Sequence, residues 1–321
     1  MKKRDLRSFV MVGILFLLCA VFAVSKKEFL TPTNIFNIMR QVSIMGIVAV
    51  GMTVVIISGG LDLSVGSLIG VSGVLTSTLM VNAGIQPVPA MLLGILAVTA
   101  LGFVTGLIIN GIGLLPMIVS LGMMTSARGL SYVITGGLPV YNLPKNFTFL
   151  GQGYLGVIPV PVIIMVVIFL IGWFALEKTR FGMGFYSIGG NAEVARLSGI
   201  PVKKYSITSY TVNGFLCGIA GIILMYRVNS GQPRAGDQME MDVITACVLG
   251  GISLNGGEGK VWGSFVGCMI IGVLANGLLL LNISEYYQML LKGIILVAAV
   301  SLDKLSRNKR VKKIKTAGAK E

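Results

Sequence analysis

Apolar residues along this chain gather into long runs, and short polar or glycine-rich stretches separate one run from the next. A helix rises about 1.5 Å per residue, so about 20 apolar residues cross a hydrocarbon core of roughly 30 Å. Ten such runs are drawn, at 9–25, 42–58, 61–80, 90–110, 112–128, 157–176, 206–228, 241–255, 261–283 and 286–302. The pattern predicts an all-α polytopic membrane protein with about ten transmembrane helices. It reads as one transmembrane domain over 1–321, with a basic tail at 303–321. Where runs are short or crowded, near Gly59-Gly60 and near Gly111–Pro116, a broken or re-entrant segment competes with a full span.

The first run follows the basic stretch MKKRDLRS and has signal-peptide character, with Val21-Phe22-Ala23 at plausible cleavage spacing. Many apolar runs follow it, so an uncleaved first helix is expected. Lys and Arg set the orientation. With both termini cytoplasmic, the inside stretches 1–8, 177–205, 256–260 and 303–321 hold eighteen of the 26 basic residues. The outside loops then keep Lys26, Lys27, Arg40, Lys145 and Arg234, and the opposite topology inverts the bias. The tail from Lys304 to Lys320 reads as an anchor against anionic lipid. Tyr286, Tyr287, Phe147, Phe149 and Tyr154 fall where an outer aromatic belt would lie.

Composition narrows the function. The chain is 55% hydrophobic and 12% charged, with a mean hydropathy of +0.88. Soluble domains carry about 25% charged residues. A soluble enzyme or a nucleic-acid binder is excluded for the whole chain, despite the net charge of +14. The absence of histidine removes Ser-His-Asp and Cys-His chemistry and histidine-bound metal. Cys19, Cys217, Cys247 and Cys268 all lie in apolar runs without C-x-x-C spacing, and read as small core residues. No cofactor or metal site is expected. Glycine, 43 of 321 residues, recurs at four-residue spacing in Gly66/Gly70, Gly102/Gly106, Gly214/Gly218 and Gly263/Gly267. Such pairs let helix backbones approach closely in lipid.

Four segments could carry function. In SGGLDLSVGS (58–67), Gly59-Gly60 breaks a helix and Asp62 can cap the next one; a carboxylate in so apolar a region is equally a functional candidate. In 116–140, Pro116 starts or kinks a helix bearing Ser120, Thr125 and Ser126. Arg128 there either lines a pathway or contacts a partner, or it snorkels to the interface. In 180–205, Asn191 caps a short helix over Ala192–Ser198 that Gly199 and Pro201 stop. That shape suits a docking element, or an ordinary surface helix. The fourth, GGISLNGGEGKVWGS (250–264), contains Gly259-Lys260 but has no glycine at 254 and Val261 in the Ser/Thr position, so it is no phosphate-binding loop. It echoes the first segment, Gly59-Gly60 against Gly250-Gly251 and Gly66-Ser67 against Gly263-Ser264, as a repeat or by chance. Elsewhere Asp242 and Lys292 are the few charges within or at the ends of runs.

Taken together, VGMTVVIISGGLDLSVGS (50–67), LGMMTSARGLSYVITGGLPV (121–140) and RFGMGFYSIGGNAEVARLSGI (180–200) resemble the permease subunits of ribose-type ABC importers. The Gly250-Gly251 segment and Tyr286-Tyr287-Gln288 continue the likeness over nearly the whole chain. The resemblance implies the ABC importer permease fold in a bacterial plasma (inner) membrane, moving a monosaccharide such as ribose or another pentose. It implies a second permease copy, identical or similar, a cytoplasmic ABC ATPase and an extracytoplasmic sugar-binding protein. ATP hydrolysis then belongs to the ATPase, and this subunit is not an enzyme. The stretch 191–199, with Asn191, Glu193, Ala195, Arg196 and Gly199, is similar to the loop such permeases insert into their ATPase. Candidate pathway residues are Asp62, Ser64, Ser120, Thr125, Arg128 and Asn276. Branched-chain amino-acid or nucleoside permeases share the architecture, and an ion-coupled secondary transporter stands as a mechanistic alternative.

Overall fold

The structure, a computed structural model, describes the backbone of residues 2–318 and the side chains of residues 10–301 and of Lys304. The basic side chains of Lys2, Lys3, Arg4 and Arg7, and those of the tail beyond Lys304, lie outside the described residues. Among the described residues thirteen α-helices run in order: α1 (Lys2–Ser25), α2 (Pro32–Ile57), α3 (Val65–Val81), α4 (Pro87–Ile112), α5 (Pro116–Thr135), α6 (Phe149–Gln152), α7 (Val160–Lys178), α8 (Arg180–Gly190), α9 (Ala192–Leu197), α10 (Val202–Val228), α11 (Met239–Leu249), α12 (Val261–Leu280) and α13 (Glu285–Gly318). Two short strands, β1 (Tyr154–Leu155) and β2 (Ile158–Pro159), pair antiparallel just before α7.

Each apolar run falls on a helix. Six of these, α2, α4, α5, α7, α10 and α12, are long and apolar enough to cross a membrane, while α3 and the apolar part of α1 are shorter. The run at 241–255 is corrected. Helix α11 has 11 residues, about 16 Å at a helical rise, and cannot cross a hydrocarbon core alone. The run at 112–128 shifts to Pro116–Thr135, because Gly113, at φ +78°, ends α4 and Pro116 opens α5 after a three-residue link.

Helix α2 is the axis. From Val42 to Ile57 all its side chains are buried, as expected for a helix apolar all round. Helices α7, α10, α11 and α12 pack against it, and α10 also runs along α3 and α4. The glycine pairs explain the tight packing. Gly102 of α4 faces Gly214 of α10, where a Cβ on Gly102 would stand 3.2 Å from the Gly214 Cα. Gly263 and Gly267 of α12 lie on the backbone of Gly250 and Ala246. Gly66 and Gly70, by contrast, face the non-helical backbone of 233–236.

Helices α2 and α11 end in the same way. Gly59 N–H donates to Ile56 O and Gly60 N–H to Val55 O, both at 2.9 Å; Gly251 donates to Val248 O at 2.9 Å and Ile252 to Cys247 O at 3.0 Å. Gly59 and Gly251 both sit at φ +85°, the left-handed position that favours glycine after a helix. The two breaks thus share one cap geometry, with Gly59 matching Gly251 and not Gly250 as the sequence echo paired it. Polar pairs complete the frame. Asn34 and Asn276 exchange amide hydrogen bonds of 2.9 and 2.8 Å between α2 and α12, and Lys292 donates to Asp242 at 2.7 Å between α13 and α11.

Filling the α4–α10 contact tests this packing. Gly214→Val should destabilise the detergent-solubilised protein by roughly 1–3 kcal/mol, the usual cost of overpacking. Gly111→Ala, where the added methyl meets open space, should leave the thermal melt unchanged.

Candidate functional site

At one end of the bundle the chain turns back through α8 and α9. Thr179 caps α8, its Oγ1 accepting from Gly182 N–H at 3.1 Å. Only Asn191 separates the two helices, in extended conformation at φ −162°. Its Oδ1 accepts from Glu193 and Val194 N–H at 3.0 and 3.1 Å, satisfying two orphan donors of α9. Gly199, at φ +82°, closes the helix, with Gly199 donating to Arg196 O and Ile200 to Ala195 O, each at 3.0 Å. Ala195 is buried against the bundle, whereas Val194 and Leu197 are 56% and 74% exposed. Arg196 forks onto Glu193 at 2.6 and 3.1 Å and holds its carboxyl below the usual range. The result is a capped six-residue helix with one face buried and apolar side chains offered outward.

Behind it, residues 58–64 form an irregular segment between α2 and α3. Asp62 is fully buried and accepts three hydrogen bonds: from Ser64 N–H at 2.9 Å, Ser64 Oγ at 2.6 Å and Asn213 Nδ2 at 2.8 Å. Asp62 therefore ties the break to α10 and does not reach the first turn of α3, whose N-cap position is Ser64. Tyr210 adds a second tie from α10, its hydroxyl donating to Leu61 O at 3.3 Å. Asn213 Oδ1 is buried without a partner.

A third feature is residues 230–238. This non-helical segment passes along the small-residue face of α3, with Gly231 against Ser77, Ala235 against Gly70 and Gly236 against Gly66. The buried carbonyls of such a segment need hydrogen-bond partners from the protein. Arg128 of α5 supplies them directly, donating through Nη1 to Pro233 O at 2.7 Å and to Ala235 O at 2.8 Å. Its guanidinium is thus held by the backbone of 233–235. Glu240, in the first turn of α11, is buried beside Gly66.

The remaining candidates scatter. Ser120 is buried and donates to Met117 O at 3.2 Å, while Thr125 is exposed and donates to Gly122 O at 2.9 Å. Asn276 lies in its pair with Asn34, toward the opposite end of α2 from Asp62. Thr125 shares an open face of α5 with Ile118, Gly122, Gly129 and Val133. Sequence reasoning missed Asn213, Tyr210 and Glu240. The available signal was a polar side chain inside, or just ahead of, an apolar helix.

Residues 34–300 match the family described as branched-chain amino acid transport system / permease component. The chain is 45% identical to the ribose import permease protein of Bacillus subtilis (strain 168), over 90% of each chain. It is 42% identical to the ribose import permease protein of Escherichia coli (strain K12), over 90% of this chain and 91% of that one. It is 38% identical to an L-arabinose ABC transporter permease protein of Azospirillum brasilense, over 93% and 88%. No solved structure matches the chain. The chain belongs to this family of transport-system permease components.

The three bonds to Asp62 make a sharp prediction. Asp62→Asn keeps Oδ1, the one oxygen that accepts both Ser64 donors, and Asn213 can turn its unpartnered Oδ1 toward the new amide. Its melting temperature should stay near wild type. Asp62→Leu strands three buried donors and should cost roughly 2–3 kcal/mol or more in a denaturation series.

Proposed function

We propose that this chain is the membrane permease subunit of an ATP-binding cassette importer that carries a monosaccharide, ribose or a closely related sugar. Relatives over most of the chain are named as ribose, L-arabinose and D-allose permeases, which supports a sugar over the amino acids in the family's description. The observation that carries the mechanism is α9. A short helix, capped at both ends and seated on Ala195, presents Val194 and Leu197 outward. That is the shape of a knob for a groove on a soluble partner, and the partner is the cytoplasmic ATPase that supplies hydrolysis.

In this reading the one transmembrane domain, 1–321, crosses the bacterial plasma membrane about ten times with both termini cytoplasmic, and α8 and α9 lie inside. The tail at 303–321 rests on anionic lipid. Helix α11 completes a crossing only together with the segments on either side of it. A second permease copy encloses the pathway along the open face of α5, where Thr125 touches passing sugar. Arg128 and Ser120 support that face. Asp62, Ser64 and Asn276 hold the scaffold. A sugar-binding protein delivers cargo from outside. Nucleotide binding moves α9, and the bundle alternates between outward- and inward-open states separated by a few kcal/mol.

Two measurements test this. Leu197→Glu places a charge in the docking face without touching the bundle, and should abolish copurification with the co-encoded ATPase while leaving the melting temperature unchanged. Asp62→Asn should retain ATP-driven sugar uptake with a wild-type pH profile. An ion-coupled transporter relying on that carboxylate would lose uptake.

A further inference from the structure

Glycines from three segments far apart in sequence meet close to α9: Gly59 after α2, Gly189-Gly190 at the end of α8, and Gly256-Gly257 in the loop between α11 and α12. Their backbones touch with no side chain between them. A Cβ on Gly256 would stand 2.9 Å from the Cα atoms of both Gly189 and Gly59. A Cβ on Gly257 would stand 2.7 Å from Gly190 N, and one on Gly189 would strike the Ile57 carbonyl. Gly59, Gly256 and Gly257 all have positive φ, at +85°, +79° and +69°. Gly257 N–H donates to Ile57 O at 2.8 Å, satisfying the last carbonyl of α2, which has no partner within its own helix.

Two further bonds lock the same loop to the elements that carry α9. Tyr186 of α8 donates its hydroxyl to Gly259 O at 3.1 Å, and Glu177 at the end of α7 accepts from Val261 N–H, the first of α12, at 3.2 Å. The loop is also closed on itself, with Ser253 N–H donating to Glu258 O at 3.0 Å. Gly189 is two residues before Asn191, whose own N–H donates back to Ser187 O at 3.1 Å. Hydrogen-bonded backbone thus runs without a break from α9 to Gly189.

We infer that this three-way backbone contact is the joint through which movement of α9 reaches the broken ends of α2 and α11, with Gly189, Gly256 and Tyr186 as positioning residues for ATP-driven transport. Side chains between moving elements absorb displacement by changing rotamer, whereas directly packed backbone has no such freedom. The matched cap geometry at Gly59 and Gly251 means that the joint engages two similar helix breaks at once. The inference rests on the proposed docking of α9 to an ATPase, and goes beyond it by naming the path onward.

The test uses the whole importer, permease with its ATPase and binding protein, in proteoliposomes, and reads sugar transported per ATP hydrolysed. Gly190→Ala is the control, since its added methyl meets open space; it should match wild type. Gly189→Ala should keep the ATPase bound but lower the ratio at least tenfold. Tyr186→Phe removes one hydroxyl without adding bulk, and should lower the ratio two- to fivefold with an unchanged melting temperature. If Gly189→Ala does not assemble, the Tyr186→Phe ratio decides alone. An unchanged ratio in Tyr186→Phe, or in an assembled Gly189→Ala, overturns the joint. Loss of the ATPase from the wild-type chain overturns the docking reading instead, and the joint with it.

Discussion

Direct contact between backbones is the interaction on which this structure depends. Lipid offers helices no hydrophobic reason to associate, so close approach and internal hydrogen bonding must hold them together. The α4–α10 contact at Gly102 and Gly214 shows the simple case of helix on helix. The harder cases are 58–64, 230–238 and 250–260, three irregular stretches among apolar helices. Side chains and carbonyls elsewhere in the protein hold them: Asp62 and Tyr210 serve the first, Arg128 the second, and Tyr186, Glu177 and Ile57 O the third. Glycine lets these stretches lie close enough for those bonds to form.

Those breaks also give the bundle its asymmetry. Around the axis of α2, short α11 and its flanking loops pack among the long helices α7, α10 and α12. Breaks between helices let the elements on either side move as separate bodies. The end bearing α9 has two such breaks pressed together, and the small-residue face of α3 carries the third. A transporter needs elements of this kind, able to occupy two arrangements of similar free energy.

Much of this was legible in the sequence. Apolar runs located the helices because lipid demands length and apolarity together. Asn191 and Gly199 marked both ends of α9 because capping chemistry is local. Legibility failed where the determining contact was distant. Residues 230–238, with Gly, Pro, Arg and Asp, have the composition of an outside loop, and nothing local reveals that α3 and Arg128 receive them. Helix α11 looked longer than it is because Ile252 and Leu254 extend its apolar run past the cap at Gly251. Asp62 looked like an N-cap, but its partner Asn213 lies 151 positions along the chain.

The central claim is that this permease moves a monosaccharide by coupling to an ATPase docked at α9. The most direct measurement is ATPase activity of the reconstituted permease with its co-encoded ATPase and binding protein, across a panel of pentoses, hexoses, amino acids and nucleosides. The account predicts that ribose or a closely related sugar stimulates hydrolysis and enters the vesicles without an ion gradient. Solute movement down an ion gradient by the permease alone, with no effect of ATP or of the partners, would contradict it.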